Sequence, residues 1–192
     1  MTATGLRKHD QSQILDAVEQ VVARNGVLTV DAAAKEAGVS KATDLYEHAS
    51  KRDLVAALVA RRIKADNAFN AGCAATFAGQ PDAVLRGRIE AARLSPPVER
   101  GNPAVLSLVA ALMQNGALRD EFRRNQNALG QVLLSGATHP RATRLAWLAL
   151  EGLKFQQHLE FHDWNALERA EILQDIETLA RSGGITTEAD HV

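Results

Sequence analysis

Residues 29–48 read Thr29-Val30-Asp31-Ala32-Ala33-Ala34-Lys35-Glu36-Ala37-Gly38-Val39-Ser40-Lys41-Ala42-Thr43-Asp44-Leu45-Tyr46-Glu47-His48, two short helical stretches divided by a glycine. In the first, 31–37, the inward positions fall on Ala33, Ala34 and Ala37, small enough for another helix to cross closely. Gly38 ends it, because glycine enters positive φ without a Cβ clash, and Ser40 is placed to cap a second helix running to about 47 or 48. Two brief helices joined in this way form a helix-turn-helix pattern, with the outer helix projecting from its support.

The flanking residues strengthen the pattern. Upstream, Ile14, Leu15, Val18, Val21 and Val22 repeat at three and four over about 10–25, and Asn25-Gly26 stops that helix. Downstream, Ser50-Lys51-Arg52-Asp53 has the S-x-x-D form of a capping box and opens a long helix carrying Leu54, Leu58, Val59 and Ile63. Beyond it, Gly79-Gln80-Pro81, Pro96-Pro97, Gly101-Asn102-Pro103, Asn115-Gly116, the 136–140 turn and Asp163-Trp164-Asn165 punctuate stretches of helical period, with room for about six more helices. The most apolar are 140–161, with Leu145, Trp147, Leu148, Leu150, Leu153 and Phe155, and 165–181, with Leu167, Ile172, Leu173, Ile176 and Leu179. Residues 183–192 lack periodicity and are expected to be a disordered tail.

The whole chain, 192 residues with 4% aromatics and scarce period-two runs, reads as an all-α protein of about nine to ten helices. Its size supports a core without metal or disulfide staples. With 22 Lys and Arg against 23 Asp and Glu, net charge names neither nucleic acid nor membrane as a partner. The single cysteine, Cys73, has no second thiol for a disulfide or a redox pair, which fits a reducing compartment. Residues 1–10 hold no apolar signal core and no run approaches a membrane span, so the expectation is a soluble, cytoplasmic chain with no membrane partner.

The stretches 14–26, 29–41 and 45–54 together resemble the tetracycline-repressor (TetR) family of bacterial transcription regulators. The resemblance rests on Ile14-Leu15-Asp16-Ala17 with 21–26, on 29–41 as quoted, and on Leu45-Tyr46-Glu47-His48 before Ser50-Lys51-Arg52-Asp53-Leu54. It implies a homodimer of all-α subunits, each with a three-helix DNA-reading head at 1–52 and a dimerisation and small-molecule domain at 53–182. By the same likeness, Thr29, Ser40, Lys41, Tyr46, His48 and Lys51 would contact double-stranded DNA. Lys41 and Thr43 are the candidates for base edges, lysine toward guanine and threonine toward a thymine methyl or a hydrogen-bonding edge.

The chain departs from the family pattern within the outer helix. The sixth and ninth residues after Gly38, apolar in the family, are Asp44 and Glu47, while Leu45, Tyr46 and His48 stand one place late. One extra residue turns a helix by about 100°. Either the turn at 41–43 absorbs it, so that Leu45 reaches the core and Asp44 faces outward, or Asp44 points inward without a partner. The first gives a working DNA-binding head. The second gives an alternative function, a dimeric ligand-binding or interaction module with impaired DNA binding. Charge favours the head: residues 1–64 hold 10 Lys and Arg against 8 Asp and Glu, whereas 65–192 hold 12 against 15.

For dimerisation the resemblance points to the last two helices and to Trp147, Leu150, Phe155, Ile172 and Ile176. For an unidentified effector it points to Phe69, Phe77, Leu108, Leu112, Met113 and Phe122, all of which serve equally well as core. His158 and His162 are one helical turn apart with Asp163 beside them, but read as helix polarity rather than as a metal pair. The sequence holds no H-E-x-x-H, G-x-S-x-G or phosphate-binding glycine loop, so neither enzyme activity, metal nor cofactor is expected.

Overall fold

A computed structural model describes residues 15–17, 20–21, 35–36, 51–95 and 103–184, with side chains described throughout except at 51–54 and 103–108. Every regular element among the described residues is helical. Six helices have defined bounds: α1 (Lys51–Ala75), α2 (Ala83–Leu94), α3 (Pro103–Gln114), α4 (Gly116–Ser135), α5 (Pro140–His158) and α6 (Ala166–Ser182). The chain divides into two compact units, Met1–Ala65 with Asn102–Arg119, and Asp66–Gly101 with Asp120–Val192.

In the first unit, residues 15–17 and 20–21 are helical, with Leu15, Ala17 and Val21 buried, as the apolar spacing of 10–25 requires. Leu58 and Val59 of α1 are buried too, and Arg61 pairs with Asp16. Lys35 and Glu36 are helical and exposed, in keeping with a helix over 31–37. Asn115 joins α3 to α4: its Oδ1 accepts from the Leu118 amide at 3.2 Å, an N-cap contact, while Arg119 donates to the Leu112 carbonyl at 3.0 Å.

The second unit holds a core of Leu85 and Ile89 from α2, Leu133 from α4, Ala146, Leu150 and Leu153 from α5, and Leu173 and Ile176 from α6. Buried positions on α5 (Ala142, Thr143, Ala146, Leu150, Leu153) recur at three and four, the stripe by which a helix meets a core. Helix α6 begins at a full capping box: Asn165 accepts from the Glu168 amide, and Glu168 accepts from the Asn165 amide. It ends on Gly183 at φ 66°, where an added Cβ would stand 2.8 Å from His139 Nδ1.

Residues 76–82 turn the chain from α1 into α2 through tight bonds such as Phe77 N–H to Ala74 O at 3.0 Å. The turn closes on Asp82, in the left-handed region at φ 56°, whose side chain accepts from Thr143 Oγ1 at 2.8 Å. The close approach of α1 and α2 is fixed at Gly87: a Cβ there would lie 2.4 Å from Ala74 Cα.

Among the described residues five helices follow α1, where the sequence has room for about six. One expectation is corrected. Helix α5 stops at His158 rather than at 161: Glu160 adopts φ 55°, and the Phe161 amide folds back to the Gln156 carbonyl at 2.9 Å. Ser50 and residues 37–49, with the Gly38 turn and the outer helix, lie outside the described residues, as do 185–192 of the expected tail.

Candidate effector groove

Within the second unit, the end of α1 and one side of α2 border an open groove of about 700 Å³, lined by Ala68, Phe69, Gly72, Cys73, Thr76, Phe77, Glu90 and Leu94. The lining follows from helix geometry. Phe69, Gly72 and Cys73 share one face of α1, Thr76 follows in the turn just past its end, and Glu90 and Leu94 are one turn apart on α2. Cys73 is buried, while Phe69 and Leu94 remain exposed.

Ion pairs hold α2 in place beside the groove. Glu177 of α6 receives Arg93 at 2.8 Å and Arg86 at 3.6 Å, and Arg93 reaches Glu90 at 3.4 Å. Burial works against the Arg93 charge, but Glu177 and then Glu90 outweigh it and raise its pKa above the ordinary value. Arg86 also lies 4.3 Å over the Phe77 ring. On the other side of α2, Arg88, only 5% exposed, meets Glu151 of α5 at 2.9 Å. Burial alone would push the Glu151 carboxyl up, yet Lys154 and Arg88 together bring it below the usual carboxylate value.

Of the candidate effector residues, Phe69 and Phe77 line the groove. Phe122, partly buried, belongs to the same unit but is not in the lining. Leu112 and Met113 belong to the first unit, as does Leu108, whose side chain is outside the described residues. Of the candidate interface residues, Leu150 and Ile176 are buried, and Trp147 and Ile172 pack against the same core, so their apolar surface is largely used inside the subunit. Phe155 is exposed and meets Phe161 edge to face at 5.9 Å. Leu145, Leu148 and Phe155, with Gly152 between them, occupy the face of α5 opposite the core, and Leu148 is 57% exposed. The periodicity of α5 contained this second face, but leucines on both sides concealed which one meets the core. Among the candidate DNA contacts, Lys51 begins α1 with its side chain outside the described residues, and Thr29, Ser40, Lys41, Thr43, Tyr46 and His48 lie outside them altogether. His158 ends α5, and His162 packs against Trp164 with ring centres 4.0 Å apart and ring planes tilted by 49°. No described helix is long and apolar enough to cross a membrane.

The sequence model described as tetracyclin repressor-like, C-terminal domain, matches residues 82–181, just over half of the chain. The chain belongs to the TetR family, a family of transcription regulators rather than enzymes. Its fold is similar to that of a TetR transcription regulator from Haloarcula marismortui, with TM-score 0.73 and 18% identity over 91% of this chain and 98% of that one. It is also similar to a transcriptional regulator from Rhodococcus sp. Rha1, with TM-score 0.70 and 16% identity over 92% and 99%. A third similar structure is the multidrug binding protein EbrR complexed with malachite green, with TM-score 0.67 and 20% identity over 88% and 97%. No curated protein sequence matches the chain.

Proposed function

We propose that this protein is a homodimeric, cytoplasmic, DNA-binding repressor of transcription whose occupancy on a roughly palindromic operator is set by a small molecule. Residues 1–52 form the DNA-reading head, and 53–182 the effector and dimerisation domain. Residues 40–48 of each subunit enter successive major grooves about 34–36 Å apart, or slightly more. Ser40, Tyr46, His48, Thr29 and Lys51 hold phosphates or sugar, and Lys41 and Thr43 read base edges.

The observation that carries the reading is the separation of its two supports along the chain. The family match covers 82–181, whereas the helix-turn-helix pattern lies at 29–48, so non-overlapping segments point to one class of protein. The groove lined by Phe69 and Phe77 supplies an apolar recess for an effector, a reading supported by the malachite green held in EbrR. The exposed face at Leu145, Leu148 and Phe155 supplies the partner surface. An effector that prefers one spacing of the two heads by roughly 1–3 kcal/mol would change operator occupancy severalfold or more.

Selection of bound duplexes from a random pool by the full-length protein tests the proposal. The expected product is an enriched sequence with two inverted half-sites about one helical turn apart. A pool that stays random after several rounds at moderate salt would contradict it, and would favour the module in which Asp44 and Glu47 have disabled the head.

A further inference from the structure

Charge is spread unevenly over the outer surface of α5 and α6, and this unevenness fixes how two copies can meet there. We propose that the subunits join with opposed ends, the basic end of one on the acidic end of the other, and that Arg144 pairs with Glu171 of the partner subunit on both sides of the two-fold axis. The inference rests on the reading of the outer face of α5 as the partner surface, and adds to it the orientation of the partner and the residues that select it.

Helix α6 runs back along α5, because Gly183 at its end lies against His139 at the start of α5. Both helices rise about 1.5 Å per residue, so Glu171, twelve residues before Gly183, lies near the level of Glu151, twelve after His139. At one end of this helix pair the exposed ionised side chains are Arg141, Arg144 and Arg181. From the middle to the other end they are Asp175, Glu171, Glu168, Asp163 and Glu160, so the exposed charges separate by sign. The half-buried charges are already matched within the subunit: Glu151 by Arg88 and Lys154, and Glu177 by Arg86 and Arg93. Arg144 and Glu171 make no ion pair among the described residues.

Both residues face outward beside the apolar patch. Arg141, Arg144, Leu148 and Phe155 follow one another at three, four and seven, a single stripe of α5 away from buried Ala142, Ala146, Leu150 and Leu153. Glu171 lies on the side of α6 away from buried Leu173 and Ile176. A two-fold contact is self-complementary, since each copy presents the same patch to the other. With the axis along the helices, equal levels face each other, so Arg144 meets Arg144 and Glu171 meets Glu171, like charges beside an apolar contact. With the axis across the helices at Leu148, the charges are matched. Arg144, four residues and about 6 Å to one side of Leu148, then faces the level about 6 Å to the other side, within a residue of that of Glu171. An exposed ion pair adds little affinity, but like charges in its place are strongly disfavoured, so the pattern acts on which partner and which orientation is accepted.

The test measures dimerisation of the full-length protein by sedimentation equilibrium at low salt, and pairing in mixtures of tagged and untagged chains by native mass spectrometry. Arg144→Glu sets like charges together in both pairs and should weaken the dimer at least tenfold. Adding Glu171→Arg to the same chain should restore affinity to within about threefold, which also shows that the single variant is not merely misfolded. Unaltered chain mixed with Arg144→Glu should form heterodimers no more often than random pairing allows, because each would hold one attractive and one repulsive pair. Several-fold enrichment of that heterodimer means that position 144 faces itself, and overturns the opposed orientation. A double variant as weak as Arg144→Glu alone overturns the pairing with Glu171. If Arg144→Glu dimerises as tightly as the unaltered chain while Leu148→Glu is monomeric, the charge pairing fails and the partner surface stands. If neither variant weakens the dimer, or the unaltered protein is a monomer, the partner surface itself fails and the pairing with it.

Discussion

Thr143 Oγ1 donates a 2.8 Å hydrogen bond to Asp82 Oδ1, and both side chains are buried. The bond ties the left-handed residue that launches α2 to the first turn of α5, and the Asp82 amide reinforces it by donating to the Gly136 carbonyl at 3.2 Å. The Asp82 side chain does not cap its own helix, so Thr143 is what satisfies it. Thr143→Val keeps the shape and removes the donor, which should cost about 1–3 kcal/mol by leaving a buried acceptor unpaired. Urea unfolding measures this directly, and an unchanged midpoint would contradict the assigned role.

Glycines at two positions should respond with opposite signs. Gly87→Ala drives a Cβ to 2.4 Å from the backbone of Ala74, so α1 and α2 must separate, at a cost of about 1–3 kcal/mol that outweighs the gain in helix propensity. Gly72→Ala meets open space and should stabilise by up to about 1 kcal/mol. Thermal melts of the two variants should move in opposite directions; a parallel shift would refute the close crossing.

Acid sensitivity should trace in part to Glu151. Its carboxyl sits below the ordinary value in the folded protein, so its stabilising effect is complete above about pH 4.3, the ordinary carboxylate pKa, and is lost as pH falls through the lower folded value. Glu151→Gln should therefore destabilise at neutral pH, where Arg88 loses its charged partner, and the gap to the unaltered protein should narrow below about pH 4. Urea midpoints across pH 3–7 check this. A gap that widens toward acid has the wrong sign.

The outer face of α5 should control assembly. Leu148→Glu places a charge among Leu145, Gly152 and Phe155, and should convert a dimer into a monomer in sedimentation equilibrium, while Leu150→Ala should lower stability by about 2–5 kcal/mol. If Leu148→Glu leaves the mass unchanged, the partner surface lies elsewhere.

Much of this was legible in the sequence, for identifiable reasons. Pro103, Asn115-Gly116, Pro140 and Asn165 act on the local backbone, so they mark helix ends whatever the tertiary context; the Asn165 and Glu168 pair, three residues apart, carried a capping signal as well. Positions decided by distant neighbours were not legible. Nothing around Asp82 announces that a threonine 61 residues later will bury it, and nothing in α2 shows that Arg86 and Arg93 converge on Glu177. The groove is hidden for the same reason: Phe69 and Phe77 stood out as apolar, but Gly72 and Glu90 acquire meaning only once α1 and α2 are side by side.

The central claim, that residues 29–51 form a working DNA-binding head, is tested most directly by fluorescence anisotropy with a random duplex over 50–200 mM salt. The account predicts binding at low salt that weakens steeply and linearly on a log–log scale, with the slope reduced by about 1 in Lys51→Ala. Absence of duplex binding by the folded protein at the lowest salt, or binding indifferent to salt, would contradict it.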